Sequence, residues 1–140
     1  MKKLFTLLFS LSLVSALAQN PEWKKEQLMP AKELADKINA NTKDKPLIFN
    51  VGPMDNIKTA VSLGFATNAT FGERLKSALT MESKNKAIVV YCGCCSSKTC
   101  PNIKPAYDLL LSLGYKNTKI LDIPENLKPD WVAKGYPMEK

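Results

Sequence analysis

A chain of 140 residues with 20 Lys and Arg against 13 Asp and Glu, net charge +7 and 45% hydrophobic residues, has room for one modest core and one domain. Its basic residues are scattered along helix-like segments, with no arginine-rich run and no interleaved aromatic stripe, which argues against a nucleic-acid partner and for a solvated basic surface. The chain has no histidine, and this excludes a Cys-His catalytic dyad.

Lys2 and Lys3 precede an apolar run from Leu4 to Leu17, broken only by Thr6 and three serines, and Ala16-Leu17-Ala18 forms a small-x-small cleavage site before Gln19. This is the pattern of a signal peptide over residues 1–18, whose apolar core is shorter than the roughly 20 residues a membrane span needs. Export to the periplasm or the medium is therefore expected, with no membrane span left after cleavage. No cysteine follows the cleavage site, so no lipid anchor is expected. Residues 19–26 read as an exposed leader and residues 27–140 as the domain.

Gln27-Leu28-Met29 predicts a short edge strand, and Pro30 sits where a helix can start, with Leu34, Ala35 and Ile38 giving that helix one apolar face. Asn39 to Lys45 is polar and turn-like. Pro46-Leu47-Ile48-Phe49-Asn50-Val51, closed by Gly52-Pro53, suits a buried parallel strand. Within Met54 to Asn68 the period is ambiguous, and Ala60-Val61-Ser62-Leu63 reads as another short strand. From Thr70 onward Phe71, Leu75, Ala78 and Leu79 recur at helical spacing, and Glu73 three residues after Thr70 predicts a capping box. Lys86 to Tyr91 is the clearest strand. Asn102 to Leu113 follows as a helix with Ile103, Ala106, Tyr107, Leu110 and Leu113 facing inward and Gly114 as its stop. Thr118-Lys119-Ile120-Leu121 gives a last strand, and Asp130 to Lys134 a final helical turn ended by Gly135. Strands alternating with helices predict an α/β fold, a central parallel sheet flanked by helices.

All four cysteines lie within Tyr91-Cys92-Gly93-Cys94-Cys95-Ser96-Ser97-Lys98-Thr99-Cys100-Pro101-Asn102, between the clearest strand and the helix that follows it. In an oxidising compartment an even cysteine count usually signals disulfides. Any bridge here would close a loop worth roughly 2 to 3 kcal/mol and would tie no distant elements together, so the cluster makes more sense as a site, or as a local clamp that shapes one. A strand-to-helix crevice suits a nucleophilic thiol, because open α/β sheets bind ligands beyond the carboxyl ends of their strands, where helix N-termini stabilise anions. The same sulfurs, Cys92, Cys94, Cys95 and Cys100, suit a soft metal such as copper(I) or zinc, although Cys-x-Cys-Cys-x₄-Cys is not the paired Cys-x₂-Cys spacing of structural zinc sites.

The layout, with a cysteine at the end of a central strand, resembles the rhodanese-like domain, a three-layer fold, over most of the chain after residue 18. Leu47-Ile48-Phe49-Asn50-Val51 looks like the strand that normally ends in Asp-Val-Arg, and Ile57 to Leu63 is similar to the His-Ile-Pro-Gly-Ala segment and its continuation. Ile88-Val89-Val90-Tyr91-Cys92 matches the strand that carries the active cysteine, and Ala106 to Tyr115 the helix ending in Leu-Gly-Tyr. Trp131 and Gly135-Tyr136-Pro137 match the closing Trp and Gly-Tyr-Pro. The family's active loop commonly reads Cys-x-x-Gly-x-Arg. Here Asn102 falls at the arginine position, and an ungapped alignment of the following helix makes the loop about five residues longer. Asn50 stands for the strand-end aspartate, Gly52 for the arginine after it and Asn56 for the histidine.

The resemblance implies a sulfurtransferase without a cofactor and expected to be a monomer. In that chemistry a thiolate takes a sulfane sulfur from a donor such as thiosulfate and passes it to a thiol or cyanide acceptor. By position Cys92 is the persulfide carrier, and Gly93, Cys94, Cys95, Ser96, Ser97, Lys98 and Thr99 form the loop that binds the anion. Such a role requires position 92 to present an ionisable thiol at the mouth of the crossover. The expected disulfide joins Cys94 or Cys95 to Cys100, leaving Cys92 free and one thiol over, which either resolves a persulfide or is idle; a vicinal Cys94-Cys95 bridge is strained. The alternatives are a non-catalytic thiol module that binds a soft metal or exchanges disulfides, and a folded relic that only contacts partners.

Overall fold

The computed structural model describes residues 22–140, so the signal sequence expected over residues 1–18 lies outside the described residues. Five parallel strands form the sheet among the described residues, in the order β1-β5-β4-β2-β3. They are β1 (Leu28–Pro30), β2 (Leu47–Asn50), β3 (Ala60–Ser62), β4 (Ile88–Tyr91) and β5 (Thr118–Asp122). β4 is central because it can be: all four of its side chains are apolar or aromatic and buried, as a strand covered on both faces requires. Full burial of each such side chain stabilises the fold by about 1.5 to 3 kcal/mol.

Side chains leave β4 alternately, and this builds two cores. Ile88 and Val90 join Phe49 and Ile120 beneath α2 (Phe71–Ala78) and α3 (Ile103–Ser112). Val89 and Tyr91 join Ile48 and Leu121 beneath α1 (Ala31–Ala40), α4 (Leu127–Asp130) and Trp131. Helix, sheet and helix thus form the three layers expected, with β1 and β3 at the edges. Pro30, with no N–H to donate, ends edge strand β1 directly before α1.

Local chemistry fixes the element ends, in two places differently from expectation. Gly114 stops α3 as predicted: at φ +91° it turns left-handed, its N–H reaches Leu111 O at 3.0 Å and the Tyr115 N–H reaches Leu110 O at 3.0 Å. The Thr70–Glu73 capping box does not form, because Thr70 itself has helical angles and its side chain caps nothing; Asn68 Oδ1 accepts the Thr70 N–H instead. The C-terminal helix starts earlier than Asp130. Asn126 Oδ1 caps Lys128 N at 3.0 Å, and the Asp130 carboxylate accepts the N–H groups of Glu125 and Asn126. Asp130 therefore braces the helix start from within it.

Candidate active site

β2 and β4 run out side by side, Val51 N donating to Tyr91 O at 2.8 Å, so Gly52 and Cys92 meet just beyond the carboxyl edge of the sheet. Gly52 is needed there for space: a Cβ at this position would overlap Cys92 Sγ and lie 2.5 Å from the Cys92 carbonyl oxygen. The backbone around it is held by Asn50, which is buried. Its Oδ1 accepts Gly52 N at 3.0 Å, while its Nδ2 donates to Met54 O and to Asn56 Oδ1. An amide both donates and accepts, which suits this bracket better than the acceptor-only carboxylate the family pattern has here.

From Cys92 the chain turns at Gly93, φ +80°, whose carbonyl accepts Leu127 N at 2.8 Å. The loop then folds back against the end of β5. Ser97 N donates to Ile123 O at 2.9 Å and Ser97 Oγ to the same oxygen at 3.3 Å. A turn over Ser96 to Cys100 follows, with Thr99 N and Cys100 N both donating to Ser96 O. At the start of α3 the buried Asn102 points its Nδ2 at Cys92 Sγ, 3.8 Å away, while its Oδ1 faces Thr67 N at 3.4 Å. The position where the family has arginine thus supplies a neutral donor to the sulfur.

Three sulfurs converge. The Sγ atoms of Cys92, Cys94 and Cys100 lie within 4.8 Å of one another, with Cys92 and Cys94 in contact at 3.3 Å, and Cys95 touches the group through Cys94 at 3.4 Å. All four cysteines are free thiols, so the bridge expected from Cys94 or Cys95 to Cys100 is not formed. Cys92 is only 2% exposed, and the space around it, lined by Gly93, Ser97, Ile103 and Ile123, is too tight for a water molecule. The sulfur that reaches solvent is Cys94. The expectation of an open thiol at the crossover mouth is therefore corrected: the lengthened loop, anchored on Ile123 O, covers the strand-end sulfur.

Protonation follows from this packing. The contact with the Cys100 sulfur, then burial, then the contact with Cys94 push the Cys92 thiol up, so it keeps its proton. Cys100 is lowered, chiefly by its interaction with Cys92 and against the effect of burial, with help from the backbone N–H groups of Asn102 and Ile103. Burial raises Cys95 to about 12. The contact between the two sulfurs thus acts on them in opposite directions, raising Cys92 and lowering Cys100.

The other predicted loop residues divide. Ser97 spends its hydroxyl on Ile123 O as an anchor, and Ser96 caps Lys98 N within its turn, so neither hydroxyl is aimed at the Cys92 sulfur. Lys98 and Thr99 are exposed and line a cavity of about 430 Å³ with Cys100 and Lys104, and Cys92 is not among its lining residues. Lys104 is paired with Asp108 at 2.6 Å.

One contributor lies in the segment read as an exposed leader. Trp23 packs edge-on against Tyr107 at 5.6 Å and donates its indole N–H to Ser97 O at 2.9 Å, fastening the loop from outside. A single tryptophan in an otherwise polar leader was the available signal, since so large an apolar ring is costly to leave in water. Losing the hydrogen bond and the ring contact in Trp23→Ala is expected to free the loop and to speed alkylation of Cys92 about tenfold, measured by mass spectrometry over time. An unchanged labelling rate would show that Trp23 does not hold the loop shut.

No family model matches the chain, and no curated protein matches it. Solved structures do. The chain is similar to the rhodanese-like domain of an Anabaena sp. protein, with 20% identity and a TM-score of 0.54 over 81% of this chain and 78% of that one. It is similar to a single-domain sulfurtransferase of Saccharomyces cerevisiae, with 18% identity and a TM-score of 0.57 over 80% of this chain and 93% of the yeast protein. It also matches 27% of the longer protein EanB, captured as a cysteine persulfide in a tetrahedral intermediate state with ergothioneine, at 18% identity and a TM-score of 0.57. At these identities the likeness establishes the architecture: the fold is rhodanese-like.

Proposed function

We propose that this protein is a sulfurtransferase that carries a sulfane sulfur as a persulfide on Cys92, from a donor such as thiosulfate to a thiol or cyanide acceptor, acting as a monomer. The observation that supports this most is positional. Cys92 directly follows the central strand of a rhodanese-like sheet, faces Asn102 at the start of α3, and has a second free thiol, Cys100, within 4.8 Å.

As the loop of residues 93–100 lifts and water reaches Cys92, the thiol loses its proton to solvent, and the Cys92 thiolate attacks the outer sulfur of thiosulfate. The S–S bond of the donor breaks with its electron pair on sulfite, leaving a Cys92 persulfide anion. Attack by cyanide or a thiolate on the outer persulfide sulfur then returns the Cys92 thiolate, which is reprotonated from solvent as the loop closes. The Asn102 amide, 3.8 Å from Cys92 Sγ, is the side-chain donor placed to stabilise the anion where the family pattern has arginine.

Treating the reduced protein with thiosulfate and mapping the product by tandem mass spectrometry is expected to find one added sulfur atom on Cys92. Finding it only on Cys94, or finding no adduct, would overturn the assignment.

A further inference from the structure

The sulfur cluster has a second capacity that sulfur transfer does not use and that does not rest on the transferase reading. We propose that Cys92, Cys94 and Cys100 form a three-coordinate site for a soft monovalent metal ion, copper(I).

Three features of the cluster select that ion. The first is composition: the chain has no histidine, and the group whose donor atoms converge within 4.8 Å contains sulfur alone, with no carboxylate in it. All-thiolate sets favour copper(I) and zinc over the harder divalent ions. The second is number. Cys95 is outside the convergent set, so the arrangement offers three sulfurs rather than the four that a tetrahedral zinc site takes. Copper(I), a d¹⁰ ion satisfied by three thiolates, fits the set as it stands. The third is the surround. Three thiolates with one copper(I) carry a net charge of −2, and the Asn102 Nδ2 group faces this charge from the start of α3, 3.8 Å from Cys92 Sγ. Such outer hydrogen bonds orient thiolate ligands and stabilise them.

Access differs among the ligands. Cys94 is exposed while Cys92 and Cys100 are buried, so the ion meets Cys94 first and is then drawn beneath the loop. With Cys92 ligated, no sulfur is left there to accept a persulfide.

The test is titration of the reduced protein with copper(I) under nitrogen, against a chromophoric copper(I) chelator, followed by X-ray absorption at the copper edge. The expected result is about one equivalent of copper held with three sulfur neighbours. Replacing a direct ligand should cost more than the roughly 10- to 100-fold typical of an outer partner, so Cys94→Ser, at a surface position that leaves the core intact, should weaken binding by at least about 100-fold. Cys95→Ser should keep both stoichiometry and sulfur count. No copper retained against the chelator, an equal loss in Cys95→Ser, or zinc held with four sulfurs in place of copper would each overturn the proposal. None of these outcomes bears on whether metal-free Cys92 accepts sulfur from thiosulfate, so the two readings fail separately.

Discussion

Cys92→Ser is expected to lower thiosulfate-to-cyanide sulfur transfer by on the order of 10⁴-fold, because a serine hydroxyl can neither take up a sulfane sulfur nor ionise near neutral pH. The substitution removes a sulfur from a buried position and adds no bulk, so far-UV circular dichroism should remain that of the parent. A variant that kept its rate within about tenfold of the parent would remove Cys92 from the reaction and move attention to Cys94, the exposed thiol in contact with it at 3.3 Å. Cys100→Ser is the informative companion. It leaves the nucleophile and removes the neighbouring sulfur that does most to raise the Cys92 thiol, so activity within about tenfold of the parent is expected. If both variants lost activity equally, the division of labour between the two sulfurs would be wrong.

Gly52→Ala should destabilise the fold by about 3 kcal/mol and lower its melting temperature by roughly 10 °C, the range of overpacking against something that cannot yield. The added methyl would meet the Cys92 carbonyl oxygen, which is backbone at the end of the central strand, and the Cys92 sulfur beside it. Relief requires β2 and β4 to part where Val51 N bonds to Tyr91 O, or the cysteine loop to lift. Thermal unfolding followed by circular dichroism measures the first route, and faster alkylation of Cys92 reports the second. A variant that matched the parent in both would mean that the close approach of Gly52 to Cys92 is not a constraint on the fold.

The burial of Cys92 sets the terms for any activity. A donor cannot reach a sulfur that is 2% exposed, so turnover is coupled to loop opening. The loop is closed by polar contacts, Ser97 to Ile123 O, Leu127 N to Gly93 O and the Trp23 indole to Ser97 O, and by the packing of Cys95 and Cys100 on the core. Each hydrogen bond contributes about 1 kcal/mol. The loop between β4 and α3 is fastened by residues from the N-terminal segment and from the stretch after β5.

The order of elements was legible in the amino-acid sequence because it rests on local patterns. Ile88 to Tyr91 is apolar at every position, as only a strand covered on both faces can be, and Ile103, Ala106, Tyr107 and Leu110 repeat at helical spacing before a glycine stop. From these followed the parallel sheet, the strand-end position of Cys92 and the gathering of all four cysteines in one crossover. The thiol contacts, the sealing of Cys92, the space at Gly52 and the reach of Trp23 to Ser97 were decided by tertiary structure alone. Each joins groups that no short-range pattern relates: Trp23 and Ser97 are 74 positions apart, and Gly52 meets Cys92 only because β2 pairs with β4. Sequence reports a residue's chemistry and the period of its neighbours. Whether a thiol is ionised depends on what covers it, and here that cover is a loop held by partners from both ends of the described chain.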